Sequence, residues 1–248
     1  LLTQDILSDQ SDSYEKLVDL ACECLKPEES LDMFWNHDIK YNANLACLLN
    51  NLLRLFPLKS TKMIKFVTAL LGTKQNNYAT HILRLLGSMD CYTCELPESA
   101  VRYEKNTRSR GGDELRITEP IKAGFITIPQ GTTGKLLERS DRFSVYQFNV
   151  RYNFWHILYQ NWTRTIQQLR ANEIKKFNNP MIRLVKLVCK MIIYDPLLAE
   201  LIEESLMYED RPTKICNSSS ALILLLLDTL YYFQRLPEYP YKLLALIL

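Results

Sequence analysis

The spacing that most resembles a chemical motif is Cys91-Tyr-Thr-Cys94, a C-x-x-C of the kind used both for zinc ligation and for thiol–disulfide exchange. A zinc site needs a second pair of ligands to complete its four. The chain offers no other C-x-x-C and only the histidines His37, His81 and His156, of which His81 alone lies near the motif in sequence. Redox chemistry would place a strand before the motif and open a helix at it. Here helix-like sequence precedes Cys91, and Glu95-Leu96-Pro97 follows Cys94. The pair is therefore expected to be plain loop thiols. The remaining cysteines, Cys22, Cys24, Cys47, Cys189 and Cys216, are scattered. Their odd total, mostly on apolar helical faces, fits reduced thiols of the cytosol or nucleus.

Other chemistry fails on similar grounds. Gly131-Thr-Thr-Gly134 has the look of a phosphate loop, but it leads into the strand-like Lys135-Leu-Leu-Glu-Arg139 and offers no helix N-terminus to a phosphate. G-x-x-x-x-G-K-[ST], G-x-G-x-x-G, H-E-x-x-H and G-x-S-x-G are all missing from the sequence. The acidic pairs Glu28-Glu29 and Glu203-Glu204 lie in solvated acidic segments, where nothing raises a carboxyl pKa for acid catalysis. His81 and His156 sit among Leu, Trp and Tyr in helical patterns and read as packing or contact residues. No enzyme, metal or cofactor is expected, which leaves binding.

The elements that would carry a binding surface follow from composition and period. The 248 residues are 47% hydrophobic and 23% charged, ordinary globular usage. Length suggests roughly 1.7 domains. Only 7 residues are Gly, which points to helices, because glycine costs about 1 kcal/mol in a helix interior. The net charge of +2 marks no nucleic-acid or membrane partner. The longest apolar run, Ala221 to Leu227, ends at Asp228 and is far short of a membrane span. The opening Leu-Leu-Thr-Gln-Asp has no initiator Met or signal pattern, and the chain stops inside an apolar helical pattern at 243–248, so a piece of a longer protein is expected.

Residues 1–104 read as short helices: a stripe of Tyr14, Leu17, Val18, Ala21 and Leu25; a turn at Pro27; then apolar patterns at 45–56, 63–71 and 78–86 punctuated by Pro57, Gly72 and Gly87. Their short connections imply antiparallel hairpins. Residues 105–152 change texture. Asn106 to Gly112 reads as a surface loop, and Leu115–Thr118, Ile121–Ile128, Lys135–Arg139 and Phe143–Arg151 as short strands. In the last, Tyr146, Phe148 and Val150 alternate with Gln147, Asn149 and Arg151, while Phe143 and Val145 have the opposite parity; a bulge is expected near Val145. Residues 153–248 return to helix: 153–177, 181–194, 197–208, 221–235 and a last one after Pro240. Leu222 to Leu227 is apolar all round, as in a helix covered on every side. The expected fold is mainly α: an irregular α-solenoid of antiparallel helical hairpins interrupted by a small SH3-like β-barrel insert.

Charge is segregated. Acids crowd residues 1–38 and 195–210, while 39–89 holds no acid and 162–194 is strongly basic. This reads either as neighbouring helices of opposite sign or as a basic groove for nucleic acid; the absence of interleaved aromatics favours the first. Tyr146, Phe148, Tyr152 and Trp155 form the candidate partner-binding surface, an aromatic cluster that a small β-unit would otherwise need for its core.

Helical pairs interrupted by Ile126-Thr-Ile-Pro-Gln-Gly-Thr-Thr-Gly-Lys-Leu-Leu137 and Phe143-Ser-Val-Tyr-Gln-Phe-Asn-Val150 resemble the large inner-ring scaffold nucleoporins, whose α-solenoid carries an inserted SH3-like barrel. The resemblance implies a scaffold role in the nuclear pore complex at the nuclear envelope and a part in nucleocytoplasmic transport of protein and mRNA. It also implies docking of a helical segment from a linker nucleoporin, and contact with Phe-Gly repeats. An adaptor whose small barrel binds a modified or Pro-rich peptide is the alternative.

Overall fold

The computed structural model describes residues 11–36, 39–73, 78–105, 114–139, 142–173, 179–207 and 221–235. The expected loop 106–112, the last helix, His37 and Cys216 lie outside them. The chain forms two compact units, one from residues 1–72 and 88–152, the other from 73–87 and 153–248.

The first unit begins with α1 (Ser11–Cys24), α2 (Glu28–Asn36), α3 (Ile39–Arg54) and α4 (Ser60–Leu70). Of the expected stripe, Tyr14, Val18, Ala21 and Leu25 are buried while Leu17 is 47% exposed, and α1 packs on α4, whose Met63, Phe66, Val67 and Leu70 are fully enclosed. Trp35 donates its indole N–H to the Leu70 carbonyl at 3.1 Å, anchoring α2 to the end of α4.

Strands β1 (Tyr92–Leu96), β2 (Tyr103–Lys105), β3 (Glu114–Ile117), β6 (Thr133–Arg139) and β7 (Ser144–Phe148) form one antiparallel sheet in the order β1-β7-β6-β3-β2. Strands β4 (Ile121–Ala123) and β5 (Ile126–Ile128) form a separate hairpin, so the single strand expected over 121–128 is folded in two. Gly124 at its turn has φ +62°, a backbone open to glycine. The bulge expected near Val145 lies opposite it, where the β6 register shifts between Leu136 and Glu138.

The sheet corrects the expected fold. This is an α+β arrangement, not an α-solenoid with a barrel insert: five antiparallel strands join the preceding helices in one unit. Thr93 of β1 donates its N–H to the Phe56 carbonyl at 2.8 Å and its hydroxyl to the Arg54 carbonyl at 2.6 Å, so the end of α3 is bonded into the sheet edge. Strands β1 and β2 lie where the sequence shows no regular period, because they are short and separated by Pro97 and a 3-10 turn at Glu98–Ala100. Strand β7 is also buried along its whole length, Gln147 included, where its alternating pattern predicts one wet face.

The second unit is helical: α5 (Ala79–Gly87), α6 (Phe154–Arg170), α7 (Asn179–Tyr194), α8 (Leu197–Met207) and α9 (Ala221–Arg235). Asn153 caps α6 by accepting the Trp155 N–H at 2.9 Å. The helix stops short of the expected 177 because Asn172 takes a left-handed conformation, φ 56°. Trp155 donates to the Leu83 carbonyl at 3.1 Å, tying α6 to α5. Trp162 donates to the Thr229 hydroxyl at 2.7 Å, tying α6 to α9. The expectation that Leu222 to Leu227 is covered all round fails at Leu227, which is 54% exposed.

Candidate functional site

The four aromatic residues singled out in the sequence do not make a surface. Tyr146 and Phe148 stack at 5.9 Å inside the first unit, and Tyr103 of β2 meets Tyr146 at 6.5 Å. Tyr152 stacks on Phe56 at 6.3 Å, meets Tyr92 edge-on at 5.5 Å and donates its hydroxyl to the Cys91 carbonyl at 3.0 Å. Trp155 belongs to the other unit. All four are buried, none more than 7% exposed. A ring that grips a partner must present a face, so these four are core and not a docking surface: small units need their largest side chains inside.

The C-x-x-C pair is likewise structural. Cys94 lies within β1 and Cys91 just ahead of it, so the expected loop is a strand. Burial pushes the Cys94 thiol up to about 12 and raises Cys91 as well, the opposite of what a reactive thiolate requires. Both are free thiols. Among the described residues no group of three or more His, Cys, Asp and Glu side chains is placed to hold a metal ion. His81 is exposed and its ring meets Tyr78 edge-on at 6.1 Å; His156 bonds Gln160 at 2.6 Å one turn along α6.

The charge segregation becomes contacts in the first unit. Lys62 of α4 approaches Glu15 of α1 at 4.0 Å and lies 5.4 Å from the centre of the Tyr14 ring, and Lys65 pairs with Asp19. Two basic residues of the acid-free segment are thus engaged by the acidic helix beside them. Such half-exposed pairs add little stability, about 0–1 kcal/mol each, but they favour this neighbour over a like-charged one.

Comparison with known proteins gives an informative likeness. It is similar to Nucleoporin NUP188 of Xenopus tropicalis. The match is 26% identical over 158 residues, 62% of this chain and 8% of that protein. The chain therefore spans a small part of the length of the nucleoporin it matches. No protein family's sequence profile matches it. Among the described residues, no helix is long and apolar enough to cross a membrane.

The surface missed in the sequence is aliphatic. Leu197 is 65% exposed and Leu201 39%, one turn apart on α8, with Ile193 of α7 at 43%. Their sequence gave no warning, since Leu197, Leu198, Leu201 and Ile202 form one continuous apolar band of which only Leu198 and Ile202 are buried.

Proposed function

We propose that this chain is a non-catalytic, protein-binding piece of a nuclear pore scaffold. The 26% identity to Nucleoporin NUP188 over 158 residues carries that reading. On it, the protein resides at the nuclear envelope in the nuclear pore complex, takes other nucleoporins as partners, and serves nucleocytoplasmic transport as structure. A helical segment of a linker nucleoporin and Phe-Gly repeats are the finer partner assignments, and they rest on the resemblance of the helical blocks and β-unit to the inner-ring scaffold. The lack of any catalytic motif in the sequence supports a role without turnover.

The adaptor reading loses the face it needs, because Tyr146, Phe148 and Tyr152 are packed inside the unit that would do the reading.

The test is location and company. Tagged full-length protein is expected to give a nuclear rim and to co-purify with other nucleoporins from gently lysed cells. A diffuse signal, with no nucleoporin enriched over a tagged control, overturns the proposal.

A further inference from the structure

Of the exposed apolar patches, the one on α8 combines exposure with a single sign of charge. Helix α8 packs on α5, α6, α7 and α9, and its Leu198 and Ile202 are buried there. Leu197 and Leu201 sit four residues apart, hence on one face, and stand in solvent. A helix's solvent face is ordinarily polar.

The polar groups beside these leucines are acidic. Glu200 is exposed between them, and the Asp195 carboxylate accepts the Leu197 N–H at 3.1 Å at the head of the helix. The whole segment 195–210 carries Asp195, Glu200, Glu203, Glu204, Glu209 and Asp210 and neither Lys nor Arg, the next cations being Arg211 and Lys214. The comparable patch on α1, Leu17 and Leu20, also lies among acids, but these are already engaged by lysines of this chain: Glu15 by Lys62, Asp19 by Lys65 and Glu23 by Lys26.

We propose that the α8 face of Leu197, Leu201 and Glu200 docks a basic amphipathic helix of a partner protein. Two apolar side chains one turn apart on the incoming helix meet Leu197 and Leu201, and flanking Lys or Arg meet Glu200 and Asp195. The acids select against the other occupants. An anionic lipid surface or a nucleic acid is repelled by them, and the α8 face of a second copy would bring like charges together. The inference stands apart from the nuclear pore reading, since it uses only the exposure and charge of one helix.

The experiment measures binding of the 248-residue chain to a fluorescent fourteen-residue peptide made of two Leu-Lys-Lys-Leu-Leu-Lys-Leu repeats, by anisotropy. A control peptide carries Glu at every Lys. The expected result is saturable binding of the basic peptide, at least tenfold weaker binding of the acidic one, and at least tenfold loss with Leu197→Glu or Leu201→Glu. Glu200→Lys should lower affinity several-fold and flatten its salt dependence. Because Leu197 is exposed, Leu197→Glu should keep the thermal transition of the parent. Leu201→Ser provides a second, milder removal if Leu201→Glu fails to fold. Equal binding of both peptides, equal binding by the Leu197→Glu chain, or no binding overturns the proposal. So does concentration-dependent dimerisation abolished by Leu197→Glu, which assigns the face to a second copy.

Discussion

Arg54 and Gln147, 93 residues apart in sequence, hold one another at both ends of a side-chain amide. The guanidinium donates to Gln147 Oε1 at 3.0 Å, and Gln147 Nε2 donates to the Arg54 carbonyl at 3.0 Å. Arg54 is the last residue of α3, so its carbonyl is one that the helix itself leaves without a partner. Thr93 bonds the same carbonyl, and Gln147 Nε2 also reaches the Thr93 hydroxyl at 3.3 Å. The sheet thus caps the helix that precedes it. A polar residue that is 1% exposed on β7 has its reason in this bond set, and the same bonds join helices and sheet into one unit.

Replacing Gln147 with Leu keeps the volume and removes both bonds. The Arg54 guanidinium and carbonyl then lose a buried partner, at a cost of about 1–3 kcal/mol. The expected readout is a lower urea midpoint together with faster amide exchange at Thr93 and along the end of α3. Unchanged exchange there would show that the cap contributes nothing to the coupling of α3 and the sheet.

Gly134 is a second point of close approach. A Cβ built there lies 2.6 Å from the Gln147 carbonyl and 3.1 Å from the Phe148 ring, between paired strands that cannot part without breaking the ladder. Gly134→Ala should therefore destabilise by more than the ~1–3 kcal/mol typical of an overpacked core. Gly87→Ala, with nothing within 4 Å of its added carbon, is the control and should be near neutral or slightly stabilising. Equal melting temperatures for the two variants would contradict the register of β6 on β7.

Particular residues show where the sequence was legible. Strand β7 was readable because Tyr146 and Phe148 alternate with polar residues, and the helices because Leu, Met and Trp recur at helical spacing. The register shift opposite Val145 was readable from a change of parity. Strands β1 and β2 were not, since five and three residues around Pro97 carry too little period, and β7, the partner of β1, lies far along the chain. The α-solenoid reading fell with them. The candidate site failed for a related reason: Tyr146, Phe148, Tyr152 and Trp155 look alike whether they face water or core, and only packing decides. Leu197 and Leu201 are the converse case, core-like in type and wet in fact.

In the second unit a buried polar contact helps join α6 to α9, beside the exposed Arg170–Asp228 ion pair. Trp162 donates to Thr229 Oγ1, which itself donates to the Leu225 carbonyl at 2.7 Å, and all of this is buried. Thr229→Val preserves shape and strands the indole N–H, for a loss of about 1–3 kcal/mol. Thr229→Ser keeps the hydroxyl and should recover most of it. A Val variant as stable as the parent in denaturant titration would show that the indole N–H finds another partner.

Thiol chemistry gives the pH dependence. Burial raises Cys94 in the first unit and Cys189 in the second from 9.0 to about 12. Burial disfavours the thiolate, so the folded chain holds these protons over a pH range in which the unfolded chain releases them. The stabilising contribution of each is therefore whole below pH 9, declines as pH rises from there, and is spent by about 12. Tyr92 and Tyr152, raised by burial above their usual value of 10.0, steepen the same decline. The comparison that isolates the thiols is Cys94→Ala and Cys189→Ala against the parent, followed by denaturant titration from pH 8 to 11. Each variant should lose stability at every pH through its cavity and show a shallower fall above pH 9. Alkylation at pH 7.5 supplies an independent reading. The exposed Cys24 and Cys47 should react with iodoacetamide in the native protein, while the half-buried Cys94, its thiolate disfavoured, should react far more slowly and the buried Cys189 only after denaturation. Native labelling of Cys94 at the rate of Cys24 would mean that β1 opens far more often than its bonds to β7 and to Phe56 allow.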